Sequence, residues 1–120
     1  MTKFHFLIAF LSMIFLSACT NDQTMTSTLD CGTLKPTYTN DIAAIMNASC
    51  ALGGCHSASS SSAGFNLSNY TGTKNGGSQS IFLRAIKHES GAKAMPENAS
   101  KLSTTSINKI ECWINNGSPE

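Results

Sequence analysis

The segment Cys50-Ala51-Leu52-Gly53-Gly54-Cys55-His56 sets two thiols five positions apart and places an imidazole directly after the second. On a regular helix, positions i and i+5 lie about 140° apart. Both thiols can therefore serve one object only if the backbone between them leaves helical geometry. Gly53-Gly54 supplies the permissive residues for that. Around this segment the chain has 120 residues, 41% hydrophobic and 12% charged. Such a length suits one folded domain, and so little charge argues against a disordered polyampholyte or a coiled coil. A net charge of +1 leaves no basic footprint for nucleic acid.

A thiol pair ending in Cys-His is the pattern of covalent haem attachment, usually C-x-x-C-H. In that chemistry both thiols add across the haem vinyl groups as thioethers, and the neighbouring imidazole reaches the iron. Here the spacer has four residues instead of two. Two other chemistries fit the same residues: a disulfide-closed loop beside a chance histidine, and a copper or zinc site, because Cys, His and Met suit soft metals.

A low-spin haem iron takes a second axial ligand, commonly methionine. Met95 lies in Ala94-Met95-Pro96, within a stretch rich in Gly, Ala and Asn that reads as loop. The following proline disfavours helix at Met95 and stiffens the loop. A gap-filling core methionine is the plainer reading of the same residue. The competing ligands are Met46 and His88. Met46 shares a helix face with Ile42 and Ile45 and reads as core. His88 ends a helix, where its charged form would complement the dipole.

The N-terminus reads as an export signal. Lys3 gives a positive start, Phe4 to Phe15 is an apolar run broken by His5 and Ser12, and small residues follow. Leu16-Ser17-Ala18-Cys19 is similar to the lipobox of bacterial lipoproteins. On that resemblance residues 1–18 are removed and Cys19 becomes the lipidated N-terminus, an anchor stable because it carries two or more acyl chains. An ordinary secretory signal, with Cys19 in a disulfide, is the other reading. Lys3 leaves with the signal, so basic and acidic side chains then balance. Residues 19–30 are polar and without periodicity, a tether to a folded domain over 31–120. A domain of that size gains from a staple or a cofactor. The expected location is the cell envelope, on a membrane-anchored lipoprotein facing the periplasm or the surface.

Three helices are expected, and the fold class is all-α. The first runs from about Asn40 to Ala48, capped by Thr39 or Asp41, and delivers the chain into Cys50. The second covers about Ser80 to His88, with Ile81, Phe82, Ala85 and Ile86 apolar. The third starts after Ser103 and stops near Gly117, with Ile107, Ile110, Trp113 and Ile114 as one stripe. Ser57 to Ser62 reads as a flexible polar loop and Thr71 to Ser78 as a Gly- and Asn-rich connection. Glu89 and Glu97 read as solvated surface.

Cys112 falls off the apolar stripe, and Cys31 is the only unassigned partner. Export permits disulfides. A Cys31–Cys112 bridge is therefore expected to tie the ends of the domain together, and closing so long a loop stabilises by ~4 kcal/mol in the entropy model. Two buried free thiols are the alternative.

From Tyr38 to Pro119 the chain resembles small bacterial monohaem cytochrome c domains, including the planctomycete type. The resemblance rests on Cys50 to His56, Gly64-Phe65-Asn66-Leu67-Ser68-Asn69-Tyr70, Ile81 to Ile86, Ala94-Met95-Pro96 and the tail from Leu102 to Pro119. It implies a small helical domain wrapped around one covalent haem c. Cys50 and Cys55 would carry the thioethers, His56 would be the proximal ligand and Met95 the distal one. Trp113 and Ile110 would pack near the haem pocket. The four-residue spacer departs from the family's common motif. The implied function is electron transfer with redox partner proteins rather than enzymatic turnover, since both axial positions are filled. Alternatives of other classes are a copper-binding lipoprotein using Cys50, Cys55, His56 and Met95, and a structural lipoprotein with disulfides Cys31–Cys112 and Cys50–Cys55. A haem enzyme or sensor, in which a small ligand displaces Met95, is a variant of the first reading.

Overall fold

The computed structural model describes residues 29–120. The expected signal segment 1–18, Cys19 and most of the tether lie outside the described residues. Among those described there are helices and no strand, so the domain is all-α. None of these helices is long and apolar enough to cross a membrane.

A π-helical turn at Tyr38–Ile42 runs directly into helix α1, Ala43–Ser49. Its cap is Thr37, not the expected Thr39 or Asp41: the Thr37 hydroxyl accepts from Asn40 N at 3.3 Å, and Asp41 accepts from Thr37 N at 3.2 Å. The first amides of a helix have no partner within it. Here Tyr38 N donates to Pro119 O (3.0 Å) and Thr39 N to Glu120 O (3.2 Å), so the C-terminal tail supplies the acceptors. Those partners lie at the other end of the chain, where local sequence signals do not reach.

Helix α2, Tyr70–Gly77, occupies the stretch expected to be a connection. Its Gly and Asn content argues against helix locally, but packing decides the matter. Asn69 caps it, accepting from Gly72 N at 2.8 Å. A side chain at Gly72 would run into the Asn66 carbonyl oxygen, and one at Gly77 would lie 3.2 Å from Ile114. The glycines allow close approach rather than turning.

Helix α3, Ser80–Ile86, follows almost at once and ends two residues earlier than expected. Helix α4, Thr104–Asn115, starts at the expected Ser103, whose hydroxyl accepts from Ser106 N at 3.1 Å. Gly117 follows it in the left-handed region at φ +85°.

The core gathers Ile42, Met46, Cys50, Leu67, Ile86, Ile110 and Trp113. Trp113 is fully buried, its indole N–H donating to Pro119 O at 2.8 Å and its ring 6.3 Å from that of Tyr38. Cys112 is also fully buried and is bonded to Cys31. The bridge closes a loop spanning 81 positions. Lys87 and Glu111 pair at 2.8 Å where α4 passes the end of α3, which is how a carboxylate is accommodated on the inner face of α4.

Candidate functional site

Helix α1 ends at the cysteine segment, where Ala51 N shares the Met46 carbonyl with Cys50 N and does not continue the ladder to Asn47. Cys50 N and Ala51 N both donate to Met46 O at 2.8 Å, and the chain then leaves the helix. The spacer closes as a loop: Cys55 N donates to Leu52 O (3.0 Å) and His56 N to Cys50 O (3.1 Å), with Gly54 at φ +80°. This is the departure from helical geometry that the C-x4-C spacing required.

The serine run expected to be a flexible loop has a structural task. Ser60 Oγ accepts from Gly54 N at 2.9 Å and Ser62 Oγ donates to Gly54 O at 3.3 Å. Ser62 N also donates to Cys55 O at 3.0 Å. The four-residue spacer is thus braced by the serines that follow it.

His56 is held in one orientation. Its Nδ1 lies 3.2 Å from Phe65 O, its backbone carbonyl accepts from Leu67 N at 2.8 Å, and the Phe65 ring meets the imidazole edge-on at 6.3 Å. A carbonyl only accepts, so Nδ1 carries a proton, and in the neutral ring the lone pair is then on Nε2. That is the arrangement of a metal-ligating histidine, whose other nitrogen is fixed by a backbone acceptor.

Cys50, Cys55, His56 and Met95 all line one cavity of about 320 Å³. The gap between α1, α3 and the loops is walled mainly by Phe65, Leu67, Phe82 and Ile86, with Leu52 and Ile81 exposed at its margin. Lys93 and Glu97 pair there at 2.6 Å in solvent, so the cavity itself is nearly free of charge. Met95 enters it half-buried from a loop whose start is the end of α3.

The two competing ligands are placed elsewhere. Met46 is fully buried in the core, and His88 is exposed with Nε2 3.1 Å from Met95 O, neither of them lining the cavity. Ile110 and Trp113, expected near the pocket, do not line it. They share a core with Cys50, Leu67 and Ile86, which do line it.

The two thiols differ in environment. Cys50 is buried and Cys55 exposed, and they are not bonded to each other. Burial, reinforced by the nearby Cys55 sulfur, pushes the Cys50 thiol up to about 11. Among the described residues, no three Cys, His, Asp or Glu side chains converge as a compact ion site would require.

Sequence reasoning did not assign a role to the Phe65 carbonyl or to the serine brace. The first is a backbone atom with no residue signature, and the serine brace depends on how the Gly-Gly pair turns. No family model, curated protein or solved structure matches this chain.

Proposed function

We propose that this domain is a c-type cytochrome: a membrane-anchored electron carrier with one covalent haem c. The observation that carries the reading is that Met95, distant in the chain, joins the Cys50, Cys55 and His56 segment in lining one apolar cavity, with His56 Nδ1 fixed on Phe65 O. The donor set fits the group. Two thiols would form the thioethers, an imidazole and a methionine sulfur would ligate iron, and the walls are apolar. A cavity near the lower end of the usual range for small-molecule sites suits a cofactor whose edge stays at the surface.

When bound, haem supplies one-electron chemistry between Fe(II) and Fe(III). The chain's own residues do the rest. Phe65 O fixes the His56 ring and strengthens it as a ligand. Phe65, Leu67, Phe82 and Ile86 exclude water, which together with a His/Met pair favours the reduced state relative to His/His. Two protein ligands leave no coordination position for a substrate, so transfer to redox partner proteins is the role rather than turnover. Exposed Leu52 and Ile81 make part of the cavity's margin apolar. The lipid on Cys19 would hold the domain at a membrane of the cell envelope, with residues 19–30 as tether.

The test is spectroscopic. The full chain is matured in a periplasm competent for haem attachment, purified under denaturing conditions, and its reduced and oxidised spectra recorded. A c-type α-band that survives denaturation is expected, weakened in Cys50→Ala and Cys55→Ala. A near-infrared methionine–iron band should disappear in Met95→Ala. Absence of haem despite competent maturation overturns the reading.

A further inference from the structure

Helix α3 ends in a two-bond cap: His88 N donates to Ala85 O at 3.2 Å and Glu89 N to Arg84 O at 2.9 Å. This is the pattern in which the residue after the last helical turn adopts the left-handed conformation, and glycine is its usual occupant. Here that residue is His88, at φ 55°. A branched imidazole at a glycine position needs a reason.

The side chain gives one. His88 Nε2 lies 3.1 Å from Met95 O, and because a carbonyl only accepts, Nε2 is the donor. Met95 N donates to Ala85 O at 3.0 Å. Both backbone polar groups of Met95 are thus fastened to the end of α3, the helix that lends Phe82, Ala85 and Ile86 to the cavity wall. Arg84 donates to Ser90 O and holds the outer side of the same loop. A histidine serving only the helix dipole would have no need to reach a carbonyl seven residues onward.

We propose that His88 is the positioning residue for the distal ligand: its imidazole fixes the Met95 backbone so that the sulfur stays in the cavity. This rests on the cytochrome reading of the site. His88 does not touch the iron in this scheme and acts through Met95 alone.

The test uses the full chain matured with haem, comparing wild type, His88→Gly and His88→Gln. Glycine suits the left-handed backbone, so the fold is kept or strengthened while the donor is lost. His88→Gly is expected to weaken or abolish the near-infrared methionine–iron band, lower the reduction potential and admit carbon monoxide. Covalent attachment through Cys50 and Cys55 should be unchanged. His88→Gln, which offers an amide donor, should restore much of the band. In haem-free protein the Met95 amide should exchange roughly fivefold faster in His88→Gly, the effect of losing one ordinary hydrogen bond.

A full band and wild-type potential in His88→Gly would overturn the inference and leave the cytochrome reading standing. Wild-type protein without covalent haem would overturn that reading, and this inference with it.

Discussion

The two ends of this domain are built on different terms. At one end the chain termini are sewn together: the Cys31–Cys112 bridge, the Tyr38 and Thr39 amides on the Pro119 and Glu120 carbonyls, the Trp113 indole on Pro119, and the Tyr70 hydroxyl on Ser118 O at 2.9 Å. At the other, the cysteine segment, the serine run and the Met95 loop surround a cavity. Most of the hydrogen bonds that shape them are made in solvent or half-buried. A domain of about ninety residues buries too little surface to be rigid everywhere. The braced end is held by a covalent bridge and backbone hydrogen bonds, and the cavity end is held without a covalent bridge.

That division predicts its largest effect at the disulfide. Replacing Cys31 and Cys112 together by Ser should lower unfolding stability by about 4 kcal/mol, the effect of releasing so long a loop in the entropy model. Chemical denaturation of the oxidised and variant proteins measures this. Haem attachment at low temperature should persist, because neither residue lines the cavity. If the variant kept its stability but lost haem, the assignment of roles to the two ends would be reversed.

A smaller effect probes how α2 links the two ends. Gly72→Ala replaces a poor helix former by the best one, a gain of about 1 kcal/mol in isolation. The added Cβ meets the Asn66 carbonyl, however, and backbone cannot give way as a flexible side chain would. A net loss of about 1–3 kcal/mol is expected in thermal or chaotropic unfolding, the range for overpacking. A stabilised variant would show that the helix and the Asn66 segment are not packed as described.

These glycines also show what the sequence could and could not convey. Helix α4 was legible because one cap residue and one apolar stripe lie within it, and the off-stripe Cys112 pointed to its bridge. The four cavity residues were legible because thiol, imidazole and thioether are rare groups with few uses. Helix α2 was not, since Gly72 and Gly77 are chosen for neighbours at Asn66 and Ile114 that no local pattern reveals. The position of His88 at a helix end signals only a complement to the dipole. Its hydrogen bond to Met95 depends on a loop closure that spacing does not encode.

At the cavity end, the two thiols provide a pH-dependent contrast in protein prepared without haem. Burial raises the Cys50 thiol from its ordinary 9.0 to about 11. The un-ionised thiol is therefore favoured by folding, and that stabilisation is complete below pH 9 and lost as the pH rises through 11. Wild-type protein should lose stability over this window, and Cys50→Ala should flatten the loss. Near neutral pH, an alkylating reagent should modify exposed Cys55 well before Cys50. Equal rates would mean that the cavity end opens freely.

The smallest effect belongs to an ion pair at the braced end. Asp41 accepts from Lys109 Nζ at 2.8 Å and from Thr37 N at 3.2 Å, so it ties the start of the first helical segment to α4. The Lys109 hydrogen bond foremost, then the Thr37 amide, holds its carboxyl below the usual 3.8. A depressed carboxyl stabilises the fold above pH 4 and ceases to do so as the pH falls through its folded value. Both partners remain partly in solvent, which limits an ion pair of this kind to less than about 1 kcal/mol. Asp41→Asn keeps an acceptor for Thr37 N and removes only the charge. Its stability deficit should be present at neutral pH, shrink in about 1 M salt and fade as the pH drops through the lowered folded-state value. A deficit as large as that of the disulfide variant would make the braced end an electrostatic construction. The expected small one leaves it held by a covalent bridge, buried Trp113 and backbone hydrogen bonds.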